Sequence, residues 1–108
     1  WPHINKPNCI ERTEELIRSV GLIDQSFSFA SDLTRYEQRC LEIARGLAMD
    51  PRILLVDEPA DGMNTQEQHA LAGLLKDVCK GALTLVVTSA GSDPFVLICD
   101  RTVHLSTH

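Results

Sequence analysis

Several things are missing from this 108-residue sequence, and each absence excludes a class of function. Basic charge is scarce: ten Lys and Arg stand against fifteen Asp and Glu, a formal net charge of −5. A nucleic-acid binder that works by neutralising phosphates needs a basic face, so no nucleic-acid partner is expected. Binding one phosphate on backbone N–H groups needs little net charge and stays open. Close cysteine pairs are also absent. Cys9, Cys40, Cys79 and Cys99 are spaced twenty residues or more apart and form no ligand-spaced pair with His3, His69, His104 or His108. That spacing argues against a zinc site or disulfide framework and for reduced thiols in a cytosolic setting. No apolar run approaches the ~20 residues that span a bilayer. No basic stretch followed by an apolar one marks a signal peptide. Neither an internal repeat nor a low-complexity stretch occurs. The chain opens on Trp1 with no Met before Met49, as expected of a processed or partial polypeptide.

What is present suits a globular domain. The apolar fraction is 44%, too high for a disordered chain. A domain of this size buries roughly two thirds of its unfolded surface. Residues 1–8, with Pro2 and Pro7, read as a loose leading segment. Asn8 and Glu11 form a capping pair for a helix whose face is Ile10, Leu16, Ile17 and Val20, stopped at Gly21. Residues 22–33 read as a connector. A second helix runs from Thr34 or Glu37 to Met49, with Leu41, Ala44, Leu47 and Ala48 as its apolar stripe, Ile43 beside it, and Asp50-Pro51 as its stop. Ile53 to Val56 form a continuous apolar run, as in a strand covered on both faces. Asn64 or Thr65 caps a third helix carrying Leu71, Leu74, Leu75 and Val78, ended by Gly81. Thr84 to Thr88 is a β-branched strand. A short polar loop follows, then a turn or helix near Pro94–Ile98 and a last strand over Thr102 to Leu105. Strands alternating with helices predict an α/β fold with a mainly parallel sheet.

The strongest chemical signal is the acid pair Asp57-Glu58, directly after the apolar strand and before Pro59. Ligands of open α/β sheets sit beyond the carboxyl ends of strands. Two adjacent carboxylates with different orientations can divide two tasks. One holds a hydrated Mg²⁺, a hard cation that prefers oxygen. The other orients a water for attack on a γ-phosphate. The plain alternative is a strand that stops at a solvated acidic turn.

Glu42 to Pro51, then Ile53 to Pro59, then Ala60-Asp61-Gly62-Met63-Asn64, and finally Cys99-Asp100-Arg101 before an apolar stretch, resemble the ATP-binding-cassette (ABC) ATPases. The likeness covers about residues 10–105 and is most specific over 39–64. Within the family it is nearest to the ATPase subunits of branched-chain amino-acid importers, whose signature helix often reads R-R-L-E-I-A-R. The resemblance implies a P-loop NTPase-like core. Residues 1–50 become part of the α-helical subdomain and residues 51–108 the C-terminal part of the ATPase core. It implies ATP and Mg²⁺ as cofactors. Asp57 becomes the Walker B aspartate, holding Mg²⁺ through water, and Glu58 the catalytic base or water-orienting carboxylate. Gly62, Met63 and Asn64 fall in the D-loop. The implied partners are a second cassette, in a homo- or heterodimer, and a transmembrane permease subunit. The implied location is the cytoplasmic face of a membrane.

Three departures set this chain apart from the family pattern. None of its glycines precedes a lysine, so there is no G-x-x-x-x-G-K-[ST] loop to cradle phosphates. In the family that loop comes earlier in the chain. The signature motif L-S-G-G-Q falls on Leu33, Thr34, Arg35, Tyr36 and Glu37, with both glycines replaced. Close backbone approach to a phosphate needs Gly, and Arg and Tyr obstruct it. The position of the family's switch histidine is Ala90, which cannot hydrogen-bond a phosphate or a water. Its neighbour Ser89 has the right polarity but is offset by one residue. Two functions therefore compete. One is the C-terminal portion of a transport ATPase, incompetent alone. The other is a degenerate cassette acting as a dimerisation or regulatory binding module. Among the smaller features, Tyr36 reads as exposed scaffold, His69 as solvated, Glu42 and Arg45 as surface-paired, and Cys79 and Cys99 as small core residues.

Overall fold

The computed structural model describes residues 6–90 and 94–105. Five regular elements follow in the order α1 (Lys6–Ser19), α2 (Arg35–Leu47), β1 (Ile53–Asp57), α3 (Thr65–Val78) and β2 (Thr84–Thr88). Short 3₁₀ turns occupy Ile23–Gln25, Ala30–Asp32 and Val96–Ile98.

The helix boundaries follow from capping chemistry. Thr34 caps α2: the Glu37 N–H donates to its hydroxyl while its own N–H donates to the Glu37 carboxylate. Asn64 and Glu67 repeat this reciprocal arrangement at α3. Each box satisfies two backbone donors that the first helical turn leaves free. The first helix departs from expectation. It is already helical at Lys6, so Asn8 lies within it and is not its cap. Pro7 sits in the first turn, where its missing N–H costs nothing. Gly21, with φ of +78°, ends the segment as expected. The rest of the leading segment, residues 1–5, lies outside the described residues.

β1 and β2 pair in parallel, with α3 as the crossover between them. The register runs from Ile53 opposite Thr84 to Asp57 opposite Thr88. The α/β class and the parallel pairing are thus as read from the sequence. Three details differ. The strand expected over Thr102 to Leu105 does not form; those residues carry no regular secondary structure and are exposed. The covering of β1 is one-sided. Val56 is buried, whereas Ile53 and Leu55 are 65% and 64% exposed, because α2 and α3 supply the apolar cover on one face of the described sheet. The stripe of α2 is also rotated. Cys40, Ile43, Ala44 and Leu47 are its buried positions, and Ala48 is exposed.

A single apolar cluster joins the end of α1 (Leu16, Val20), α2, Val56, Met63, α3 (Leu71, Leu75) and Phe95. At Gly46 a Cβ would meet the Leu54 Cδ1 at 2.8 Å, so a side chain there would have to turn Leu54 aside.

Candidate functional site

The acid pair is built by the end of β1. Val56 anchors the strand in the core, and Pro59, two residues past the ladder's last residue, is fully buried. Between these fixed points the backbone must expose two carboxylates and reverse direction. It does so by placing Glu58 in the left-handed region, with φ of +41°. A non-glycine residue there costs about 1–2 kcal/mol, and surrounding contacts must offset it. The Glu58 N–H supplies two. It donates to the Thr88 carbonyl at 3.1 Å and to the Thr88 hydroxyl at 2.9 Å. The same hydroxyl donates to the Asp57 carboxylate. Asp57 and Glu58 are both exposed.

The turn that follows is closed by Asp61 N–H to the Glu58 carbonyl at 3.2 Å and Met63 N–H to the Ala60 carbonyl at 3.0 Å. Gly62 takes a φ of +77° within it. Met63 points into the core and Asn64 is committed to capping α3. The segment that the sequence places in a D-loop is thus a tight turn tied down at both ends.

The residues at the signature position behave differently from one another. Leu33 is half-buried, and Thr34 and Glu37 are engaged in the capping box. Arg35 lies across the turn: its Nε donates to the Asp61 carbonyl at 3.3 Å and its guanidinium is 3.6 Å from the Asp61 carboxylate. A Cβ on Gly62 would come within 2.7 Å of the Arg35 Nε. Both charged partners are more than half exposed, so the ion pair itself adds little stability. What it does is join two motif segments 26 residues apart.

Tyr36 is not the exposed scaffold aromatic expected from the sequence. It is half-buried and packs against the core cluster. Burial, then the neighbouring Cys40 and Glu67, push its phenol up from the ordinary 10.0 to about 12. Burial likewise raises the Cys40 and Cys79 thiols. The folded chain therefore holds the Tyr36 proton more tightly than the unfolded chain does. Its contribution to stability is fully present below pH 10 and is lost as pH rises toward 12. The expected result is that Tyr36→Phe flattens the fall of thermal midpoint between pH 10 and 12, followed by circular dichroism. An unchanged slope would count against this assignment.

Ala90 lies two residues beyond Thr88 and is exposed; its methyl offers no hydrogen bond. Residues 91–93 of the polar loop expected from the sequence lie outside the described residues. His69 is exposed, as expected. Glu42 pairs with Arg39 at 3.0 Å rather than with Arg45. Cys79 and Cys99 are half-buried. An open groove lined by Arg18, Tyr36, Glu37, His69 and Asp77 lies on the helical side and includes neither Asp57 nor Glu58.

The structure therefore brings together Asp57, Glu58 and Thr88 in one cluster, and Arg35 with Asp61 and Gly62 in another. Sequence reading missed Thr88 and the Asp61 partner of Arg35. No local signal marks Thr88, which meets Asp57 only through the parallel register of β1 and β2. Among the described residues no group of three or more His, Cys, Asp or Glu could cage a metal. One carboxylate with a neighbouring hydroxyl suits a Mg²⁺ that keeps most of its waters and takes further oxygens from phosphates.

No protein-family model matches the chain. It is 36% identical over 91 residues to the methionine import ATP-binding protein MetN of Myxococcus xanthus, covering 83% of this chain and 28% of that protein. It is 37% identical over 83 residues to the lipoprotein-releasing system ATP-binding protein LolD of Syntrophus aciditrophicus, covering 75% of this chain and 37% of that one. With the glutamine transport ATP-binding protein GlnQ of Escherichia coli the identity is 28% over 85 residues, covering 79% and 35%. The chain thus spans about a third of the length of these relatives. Their names speak of methionine, lipoproteins and glutamine, and none of the three specifies branched-chain amino acids. The fold is similar to that of MJ1267 in its ADP conformation, an ATP-binding cassette of an ABC transporter. There the TM-score is 0.78 at 18% identity, covering 86% of this chain and 37% of that one.

Proposed function

Because the chain belongs to the ATP-binding-cassette family, we propose that it forms the C-terminal portion of an ATP-binding subunit that couples nucleotide binding and hydrolysis to membrane transport. The observation that carries this reading is the acid pair at the end of β1. Asp57 and Glu58 stand at the carboxyl end of a parallel strand, held by the neighbouring strand and followed by a tightly closed turn. In this reading residues 1–50 belong to a helical subdomain and residues 51–108 to the ATPase core. Asp57 holds Mg²⁺ through water, and Mg²⁺ supplies charge neutralisation at the phosphates. Glu58 accepts a hydrogen bond from the attacking water and orients it. The turn that carries Gly62, Met63 and Asn64 faces a second cassette, with the Met63 side chain turned into the core and Asn64 capping α3, and the helical side faces a permease subunit. No described helix is long and apolar enough to cross a membrane.

A specific observation favours the second reading, a degenerate cassette that binds without turnover. Arg35 occupies the space over Gly62, and the half-buried Tyr36 packs against the core. Neither leaves bare backbone for a phosphate, and Ala90 offers no polar group.

The test is a chimera in which this chain replaces the matching 91 residues of the methionine import relative. The isolated chain lacks a phosphate loop and is expected to bind Mg-ATP weakly or not at all. The chimera is expected to bind it, measured by calorimetry. A micromolar dissociation constant for the isolated chain would overturn its proposed incompetence. A folded chimera without ATP binding would overturn the proposed role.

A further inference from the structure

We propose that Thr88 is the positioning residue of the acid pair: its side-chain hydroxyl sets the direction of the Asp57 carboxylate and holds Glu58 in its left-handed turn. The proposal rests on the reading of Asp57 and Glu58 given above. A hydroxyl has one proton to donate and lone pairs to accept with. Here the proton goes to the Asp57 Oδ1, and a lone pair receives the Glu58 N–H. One side chain therefore touches both acids, in a continuous chain of donors from Glu58 through Thr88 to Asp57. Such a chain polarises along its length, each bond strengthening the next.

Two consequences follow from that geometry. With Oδ1 bonded to Thr88 and Asp57 exposed, the second carboxylate oxygen is the one left for a water of a hydrated cation. An exposed aspartate without such a partner would turn freely among its rotamers. Glu58 is the other consequence. Its φ of +41° is disfavoured, and both hydrogen bonds that hold its N–H come from Thr88, one from the main chain and one from the side chain. Any residue at position 88 can supply the carbonyl. Only Ser or Thr can supply a hydroxyl at that reach. The strand register explains why the position matters, since Thr88 is the direct cross-strand partner of Asp57.

The experiment compares the full chain with Thr88→Val, which keeps the shape and removes the hydroxyl, and Thr88→Ser, which keeps the hydroxyl. Three readouts are taken by NMR. The Asp57 Hα–Hβ couplings should report one rotamer in the parent and in Thr88→Ser, and an average in Thr88→Val. Exchange of the Glu58 amide with solvent should rise about fivefold in Thr88→Val alone, the effect of losing one hydrogen bond. Titration with Mn²⁺, used alone as the probe, should broaden the Asp57 and Glu58 resonances in the parent, with a midpoint about tenfold higher in Thr88→Val and restored in Thr88→Ser. A single Asp57 rotamer and an unmoved Mn²⁺ midpoint in Thr88→Val would overturn the assignment. Ordered Asp57 with no Mn²⁺ broadening in the parent would instead overturn the metal role of the acid pair, and the positioning function with it.

Discussion

Phe95→Ala is expected to cost about 3–5 kcal/mol of folding stability, the largest effect of any single truncation here. The side chain is 1% exposed and the bulkiest of those fully buried. It joins the cluster that includes Leu71 and Leu75 of α3, and the 3₁₀ turn after it packs on that helix. Removing the ring leaves a cavity that a crossover helix fixed at both ends cannot collapse to fill. A domain of this size has about 5–15 kcal/mol in total, so much of the population should unfold at moderate temperature. The control is Phe29→Ser. Phe29 is 78% exposed, and its replacement should stay within about 0.5 kcal/mol. Urea unfolding followed by circular dichroism measures both. A loss below about 1 kcal/mol for Phe95→Ala would mean that the segment after β2 is not part of the core.

That segment also shows where the sequence was legible and where it was not. A turn or helix near Pro94–Ile98 was read from the sequence, but nothing local announced that Phe95 anchors it. A lone aromatic in a loop has no periodicity, and only the tertiary contact with α3 reveals its burial. The elements with strong local chemistry were the readable ones. Thr34 and Asn64, each with a glutamate three residues on, start two helices through reciprocal bonds, and the sequence reading placed these starts to within Thr34 or Glu37 and Asn64 or Thr65; the same spacing at Asn8 and Glu11 misled, because the helix there already begins at Lys6. β1 and β2 were readable as strands because β-branched and apolar runs of that length have few other uses. How they are covered was not, since a continuous apolar run says nothing of whether a second layer is present. Ile53 and Leu55 have the composition of a doubly covered strand and sit exposed. The last strand also failed: Thr102 to Leu105 has strand-like residues, but strand composition does not say whether a segment pairs, and here it does not join the β1-β2 sheet. Within the candidate site, Asp57 and Glu58 were visible as a motif. Their common partner Thr88 was not, because it lies 30 or 31 residues away and is joined to them only by parallel register. Arg35 was read as an obstruction at the signature position. Its hold on Asp61 and Gly62 gives that obstruction a definite place, over the turn that follows the acid pair.

Glu58→Gln in the chimera should lower ATP hydrolysis by about 10²-fold or more while changing ATP affinity by no more than about twofold. General-base contributions of 10²–10⁴ set the scale. The variant keeps size, shape and hydrogen-bonding reach and removes only the charge that draws a proton from water. The backbone donor of Glu58 is unaffected, so the left-handed turn and its bonds to Thr88 persist. A fall in hydrolysis without a fall in binding is therefore the signature of a group that acts on the attacking water. Asp57→Asn separates the two acids. It removes the charge that attracts Mg²⁺ and should raise the Mg²⁺ concentration needed for binding, an effect that excess metal partly restores. Excess metal should not restore Glu58→Gln. Equal hydrolysis by parent and Glu58→Gln would remove Glu58 from the chemistry. A parent chimera that binds ATP and does not hydrolyse it would decide for the binding-module reading. In that case Arg35 and Ala90 become the substitutions to reverse, Arg35→Gly restoring bare backbone at the start of α2 and Ala90→His restoring a polar group beyond β2. If either reversal restores turnover that Glu58→Gln then abolishes, the acid pair is intact chemistry held idle by its surroundings.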